Sequence, residues 1–319
     1  MTPGIRKIFR NFQAFDNESL GRSTRCGLGT LDDFRFLRLN WETAPGSQWV
    51  TYYNGGIFSP FYDQITLLVN WGIRGEELKT FVEQKVGSAS RKVQGEDHYF
   101  AEGFYFPRRT KALSPKVMPT GGIFSTGGQA GFTPRDELLA TISLLSSRIC
   151  SFLISVAQGR TGDAAQFEVG LIKRIPWPLE QIDMGKLGNL ARHAWSLKRR
   201  LDSTNETSLA FLVPQTMERK IGLDRAAING EIIEIQDEIE QIAFSLYQLK
   251  TEDKAAIDAT TTGDQMMIGG DTEDHNMEEE DEEEEAREDL EALAPSGTTI
   301  SWLLGVAFGR FDLRLATGE

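Results

Sequence analysis

The chain has 319 residues, 40% of them hydrophobic, with 34 Lys and Arg against 47 Asp and Glu, a net charge of −13, and only 2 Cys. That length and apolar content suit about two domains with a sizeable core, and they exclude a wholly disordered chain. The charge is concentrated in one place: between Asp271 and Glu291 fourteen acidic residues face Arg287 alone, whereas residues 1–180 carry 21 basic and 17 acidic residues. The low isoelectric point therefore describes one segment, and a polyanionic partner for the rest is not excluded.

Cys26 and Cys150 are too few for a disulfide framework, and no Cys/His spacing suits zinc. The N-terminal MTPGIRKIFRNF lacks a following apolar run, and no stretch of about 18 apolar residues occurs, so the chain is read as cytoplasmic, with neither a signal peptide nor a membrane span.

Residues 1–180 alternate short apolar or aromatic runs with Gly, Pro and Asn: WVTYYNGGIF (49–58), ITLLVNW (65–71) and GGIFSTGG (121–128). β-branched and aromatic residues between turn formers predict strands, and Ile65 to Trp71 is apolar enough for burial on both faces. Between these strands a helix is predicted from Pro134 to Ala157, capped by Thr133, with Leu138, Ile142, Leu145, Ile149 and Leu153 at helical spacing. This mixture predicts an α+β domain with a mixed sheet.

From 181 to 250 strand signals vanish. Ile228, Ile232, Ile235, Ile239, Ile242, Leu246 and Leu249 lie on one heptad seam, and Leu187, Leu190, Ala191, Ala194, Trp195 and Leu201 offer a facing surface. A helical hairpin is the economical arrangement, and a coiled coil with another chain is the other. Residues 251–298 lose apolar periodicity and are expected to form a disordered acidic linker. The segment 299–319 is apolar again, as if the natural protein continued or the segment docked back on the body.

Nucleophilic catalysis finds no support. His98 follows a charged loop, His193 lies on a predicted helix and His275 in the acidic tail. No phosphate-binding GxxxxGK[ST] loop occurs, and the Gly pairs at 55–56, 121–122 and 127–128 suit turns better than phosphate cradles. The acidic run can hold divalent cations only as a counterion cloud.

Basic residues are more informative. Arg108, Arg109 and Lys111 follow three aromatics in FYFPRRTKALSP, with Lys116 close behind. Cations beside exposed aromatics neutralise phosphates and stack on bases, although a solvated turn between two strands has the same composition. Lys173 and Arg174, and Lys198, Arg199 and Arg200, read as solvent-facing charge.

Six blocks in order carry a family resemblance. GLGTLDDFRFLRLNWE (27–42) resembles the Gly-Leu-x-Thr-Gly-Asp-Asp/Asn-x-Arg-Phe opening of the target-recognition region in large adenine-specific DNA methyltransferases of the PglX type, from BREX phage-defence systems, and in related single-chain restriction-modification enzymes. YYNGGIFSPFYDQITLLVNW (52–71), EGFYFPRRTKALSPKVMPTGGIFSTGGQAGF (102–132), FEVGLIKRIPWP (167–178), IAFSLYQLKTEDKAAID (242–258) and ISWLLGVAFGRFDLRLATGE (300–319) are similar to later segments of the same proteins. Two departures stand out: Asn54 replaces a Lys before the Gly pair, and Leu31 replaces the Gly expected after Thr30.

The resemblance implies a double-stranded DNA recognition module that lacks the catalytic half of its enzyme. The Gly-rich turn that seats S-adenosylmethionine is absent, and Ser59-Pro60-Phe61-Tyr62 lacks the acceptor and second Pro of an [Asn/Asp]-Pro-Pro-[Tyr/Phe] loop. The implied partners are DNA, a methyltransferase domain or subunit that carries the cofactor, and other defence-system proteins; no catalytic residue is expected in this chain. The implied DNA contacts are Arg108, Arg109, Thr110 and Lys111, then Thr30, Arg35 and Arg38, with Gln129 either reading adenine or supporting its Gly-rich turn. The rival reading is a protein-interaction or DNA-mimicking module that acts through the heptad helix and acidic block.

Overall fold

A computed structural model describes residues 3–43, 48–158, 166–178, 182–251, 253–255, 257, 295–309 and 311. Nearly all of the expected acidic linker and the end of the 299–319 segment lie outside them. The chain divides into two compact units, Met1–Trp195 with Glu234–Ile268, and Ser196–Ile233 with Gly269–Glu319.

The first unit is α+β, as the sequence predicts. In chain order it contains α1 (Pro3–Asn11), β1 (Gln13–Ala14), β2 (Ser23–Arg25), α2 (Asp33–Phe36), β3 (Leu37–Leu39), β4 (Trp49–Tyr53), β5 (Leu67–Asn70) and α3 (Glu76–Val86). There follow β6 (Gly103–Pro107), β7 (Lys116–Met118), β8 (Gly122–Phe124), β9 (Gly128–Phe132), α4 (Leu138–Leu145), α5 (Arg148–Gln158), α6 (Val169–Ile172) and β10 (Pro176–Trp177). Two longer helices, α7 (Met184–Leu201) and α8 (Arg225–Leu246), contribute residues to both units.

Two four-stranded sheets and a short ribbon organise the unit. One sheet runs β2-β9-β6-β7 and is antiparallel throughout; the other runs β3-β5-β4-β8, where β4 and β8 are parallel; β1 and β10 form the ribbon. A common core joins the two larger sheets, with Tyr52, Tyr53, Val69, Tyr105, Met118, Ile123, Phe124, Ala130 and Phe132 buried together against Leu78 and Val82 of α3. Each buried Val, Leu, Ile, Phe or Met among them contributes about 1.5–3 kcal/mol on leaving water.

The chain passes from one sheet to the other at Gly127–Gly128, where backbones come very close. A Cβ on Gly128 would stand 2.6 Å from the Tyr53 carbonyl oxygen, and one on Gly55 would stand 2.8 Å from that of Gly127. These glycines are selected by close approach of two backbones, and Gly128 lies in β9 rather than in a turn.

Three expectations change. The helix predicted over 134–157 is two helices, α4 and α5, bent by 68°. Between them the Ser146 hydroxyl donates to the Ser143 carbonyl (2.8 Å) and that of Ser147 to the Leu144 carbonyl (2.6 Å), while Glu240 of α8 accepts the Arg148 amide at 2.9 Å. Hydroxyl back-bonding ends α4, and a carboxylate supplied from elsewhere caps α5. Secondly, within the Ile65 to Trp71 run only Val69 and Trp71 are buried, because β5 has its second face partly open to solvent. Lastly, Leu31, which stands where the resembling family has Gly, takes a left-handed backbone with φ 64°. A side chain in that region costs about 1–2 kcal/mol, which accounts for the glycine in the family pattern.

Of the heptad seam within the first unit, Ile235, Ile239 and Leu246 are buried. There α8 meets the α4–α5 corner, with Gln236 donating to the Ser146 carbonyl at 3.2 Å, and the following Tyr247 hydroxyl donates to the Pro176 carbonyl at 2.8 Å. In the second unit a helix over Pro295–Ala307, α9, packs on the turn Gln215–Ile221; Ser301 donates to Glu206 at 2.7 Å, and the rings of Phe211 and Phe311 lie 4.9 Å apart.

Among the described residues no single helix is long and apolar enough to cross a membrane; α4 and α5 reach that composition only as a bent pair, and most of their apolar residues are buried in the core.

Candidate nucleic-acid interface

Strand register gathers five loops at one edge of the first unit. Parallel pairing of Tyr53 with Phe124 puts the C-terminal ends of β4 and β8 together, and antiparallel pairing of Pro107 with Gly128 adds the end of β6. The loops that begin at Asn54, Arg108 and Ser125 therefore emerge side by side. Loop 26–31 joins them through the Leu28 amide, which donates to the Phe124 carbonyl at 2.9 Å, and through the Tyr52 hydroxyl, which donates to the Leu28 carbonyl at 2.7 Å. Burial pushes the Tyr52 phenol well above its ordinary range, so it remains a donor at all physiological pH. Residues 166–168 complete the edge: Gln166 bridges Arg109, and the Phe167 amide donates to the Arg108 carbonyl at 2.7 Å.

Across loops 26–31, 54–60, 108–115, 125–127 and 166–168 the sequence has three cations, Arg108, Arg109 and Lys111, and one carboxylate, Glu168. Arg108 pairs with Glu168 at 2.6 Å, both about half exposed (47% and 45%). Arg109 has no ion-pair partner among the described residues. Lys111 holds its ammonium 4.8 Å from the centre of the Phe58 ring, and Thr110 donates to the Ala112 carbonyl at 2.7 Å, which tightens the turn. Lys92 borders the same edge, with its carbonyl accepting the Gly29 amide at 2.9 Å. The half-buried Cys26 lies within reach of the charges on Arg108, Glu168 and Lys92, although burial is what chiefly pushes its thiol up.

The geometry corrects the chemistry expected of this loop. Phe104, Tyr105 and Phe106 are core residues and cannot stack on bases; their alternation along β6 faces two packed layers. Lys116 is also interior, fully buried with its Nζ 2.7 Å from Asp63 and 2.8 Å from the Gly55 carbonyl oxygen. Gln129 is buried, and its Oε1 accepts the Val169 amide at 2.7 Å. That bond holds the start of α6 and not the Gly-rich turn.

Thr30 is buried and donates to Asp33, so it fixes the entry to α2. Arg35 and Arg38 belong to the α2–β3 surface and are not brought to the edge loops. Arg35 pairs with Glu77 at 2.8 Å and lies over the rings of Phe36 and Phe81, while Arg38 lies over Trp49 and donates to the Phe34 carbonyl at 2.7 Å. Arg35 lines an open groove of about 790 Å³ with Trp71, Ile73 and Phe81. Nothing local in the sequence marks Glu168 as a contact; the backbone pairing of 166–167 with 108–109 places it beside Arg108.

Phe61, in the string nearest to an adenine-holding loop, is buried with φ 75° and donates its amide to the Pro115 carbonyl at 2.8 Å, so this string is a core turn. Among the described residues no group of three or more His, Cys, Asp or Glu is placed to hold a metal.

No protein-family profile matches the chain. It is 22% identical over 143 residues to the adenine-specific methyltransferase PglX of Lacticaseibacillus casei (strain Zhang), which is 44% of this chain and 12% of that relative. The fold resembles that of the type IIL restriction-modification enzyme MmeI, solved in complex with DNA, at a TM-score of 0.50 and 17% identity, over 80% of this chain and 36% of the MmeI chain. The chain thus spans a small part of PglX and about a third of MmeI.

Proposed function

We propose that this chain is the DNA sequence-recognition module of a site-specific adenine (N6) methyltransferase in phage defence or restriction-modification, and that the S-adenosylmethionine site and the catalytic loop belong to another domain or subunit. The observation that carries this reading is the loop edge, where Arg108, Arg109 and Lys111 follow the end of β6 in one loop and Glu168 is the sole carboxylate among the described residues of the five loops. The likenesses to PglX and to MmeI support it.

In this reading Arg109 and Lys111 neutralise phosphates, while Arg108 is held at a base edge by its neighbours. A rigid edge built on strand ends holds these groups in register with successive phosphates, which loosely tethered cations cannot do. The partner that carries the cofactor then takes the adenine out of the stack, and the present chain supplies grip and sequence choice.

The test is duplex binding by a chain with Arg108→Ala and Arg109→Ala together. Loss of affinity and of sequence preference is expected, with an unchanged melting temperature; unchanged binding would remove these residues from the interface.

A second reading rests on the fourteen acidic residues between Asp271 and Glu291, whose charge suits a basic partner or a DNA mimic. Deletion of residues 262–296 separates the two. Stronger DNA binding after deletion marks the block as an inhibitor or spacer for the recognition module, whereas a lost protein partner without any DNA binding favours the second reading.

A further inference from the structure

The edge contains one feature that a phosphate-gripping surface does not need: a carboxylate. Glu168 lies beside Arg108, on a segment whose backbone is held at both Phe167 and Val169. The Phe167 side chain is buried, its amide is bonded to the Arg108 carbonyl at 2.7 Å, and the Val169 amide is bonded to Gln129 at 2.7 Å. The Glu168 carboxylate is therefore presented from a rigid backbone, 2.6 Å from Arg108 Nη2.

From this we infer that Glu168 is a specificity-determining residue, and that Arg108 and Glu168 together read a G·C base pair in the major groove. The inference rests on the DNA-recognition reading above. An Arg with one Nη engaged by a carboxylate keeps donors free in a fixed plane, which matches the O6 and N7 acceptors of guanine. A carboxylate keeps acceptor capacity after accepting one bond, which matches the N4 amino group of the paired cytosine. Phosphate is the wrong ligand for this pair, because Glu168 repels it and already occupies Arg108. Arg109, without an ion-pair partner among the described residues, and Lys111, turned to the Phe58 ring, have no such competitor.

The same arrangement explains why the carboxylate is tolerated in a basic edge. It lowers affinity for DNA in general and so widens the gap between the right sequence and all others, a difference that matters when non-specific sites are in vast excess.

The experiment is selection from a randomised duplex library by the full 319-residue chain, its Glu168→Gln variant and its Glu168→Ala variant, together with a salt titration of each against one fixed random duplex. Melting curves establish that the variants fold. For the unsubstituted chain the selected sites are expected to hold a G·C pair at one position, and both variants are expected to lose that preference roughly tenfold or more. Glu168→Ala is further expected to bind the random duplex several-fold more tightly, with a steeper salt slope by about one released counterion, because Arg108 becomes free for phosphate. If both variants keep the selected sequence, or if all binding weakens equally with an unchanged slope, Glu168 has no reading role and the inference fails while the DNA-binding reading stands. Absence of DNA binding by the unsubstituted chain overturns both.

Discussion

Lys116 and Asp63 form an ion pair inside the first unit, with Nζ 2.7 Å from Oδ2, the Lys side chain fully buried and that of Asp63 10% exposed. The Tyr105 hydroxyl donates to the same carboxylate oxygen at 3.0 Å, and Lys116 also donates to the Gly55 carbonyl at 2.8 Å. The pair thus ties β7 to the loop behind the candidate interface. Removal of one member of such a pair leaves an uncompensated charge. Lys116→Met is expected to lower stability by about 3–5 kcal/mol, and Asp63→Asn added to it to restore part of the loss; denaturant unfolding of the single and double variants checks this. An additive result would mean that the pair is not coupled.

Leu31 offers a change in the opposite direction. Its φ of 64° suits glycine, and the residue is 43% exposed. Leu31→Gly is expected to stabilise by roughly 1 kcal/mol, after the greater freedom of glycine in the unfolded chain is set against the relief of strain. Loss of stability would show that the Leu31 side chain makes contacts that outweigh the strain.

Glu240 gives a pH dependence. It lies on α8, buried against the start of α5, its Oε2 has no hydrogen-bond partner among the described residues, and burial raises its pKa above the ordinary carboxylate value, partly offset by the Arg148 amide and guanidinium. The native state therefore binds this proton more tightly than the unfolded state does. The resulting stability is complete below the unfolded-state pKa and is lost as pH rises through the raised native value. Glu240→Gln keeps an acceptor for the Arg148 amide without a charge, so it is expected to raise the melting temperature at pH 8 and to have little effect at pH 4. An equal shift at both pH values would contradict the assignment.

The two cysteines report on the edge by labelling. Cys26 is half-buried beside Arg108 and Lys92, whereas Cys150 is buried with its thiol pushed up to about 12 by burial. A thiol reagent at neutral pH is expected to label one cysteine slowly in the native chain and both after denaturation. Duplex DNA is expected to slow the first reaction. Labelling of Cys26 at the same rate with and without DNA would place the duplex elsewhere.

The sequence revealed elements more readily than partners. β4, β5 and β8 were legible because aromatic and β-branched residues are concentrated between turn formers, and α8 because its seam repeats. The break at Ser146–Ser147 was not, since the cap on Arg148 comes from Glu240, 92 residues away. Burial of Lys116 likewise depends on Asp63, and the role of Gln129 on Val169. The candidate interface was legible as a run of cations at 108–111, but its boundary with Glu168 was set by an antiparallel bridge between Arg109 and Gln166 that no local pattern encodes.

The most direct measurement is the salt dependence of duplex binding for the unsubstituted chain and for a chain with Arg109→Ala and Lys111→Ala. The account predicts a linear fall of log affinity with log salt concentration for the former, and a slope shallower by about two released counterions for the latter, at roughly 0.9 per phosphate. Equal slopes for the two chains would contradict the assignment of phosphate contacts to this edge.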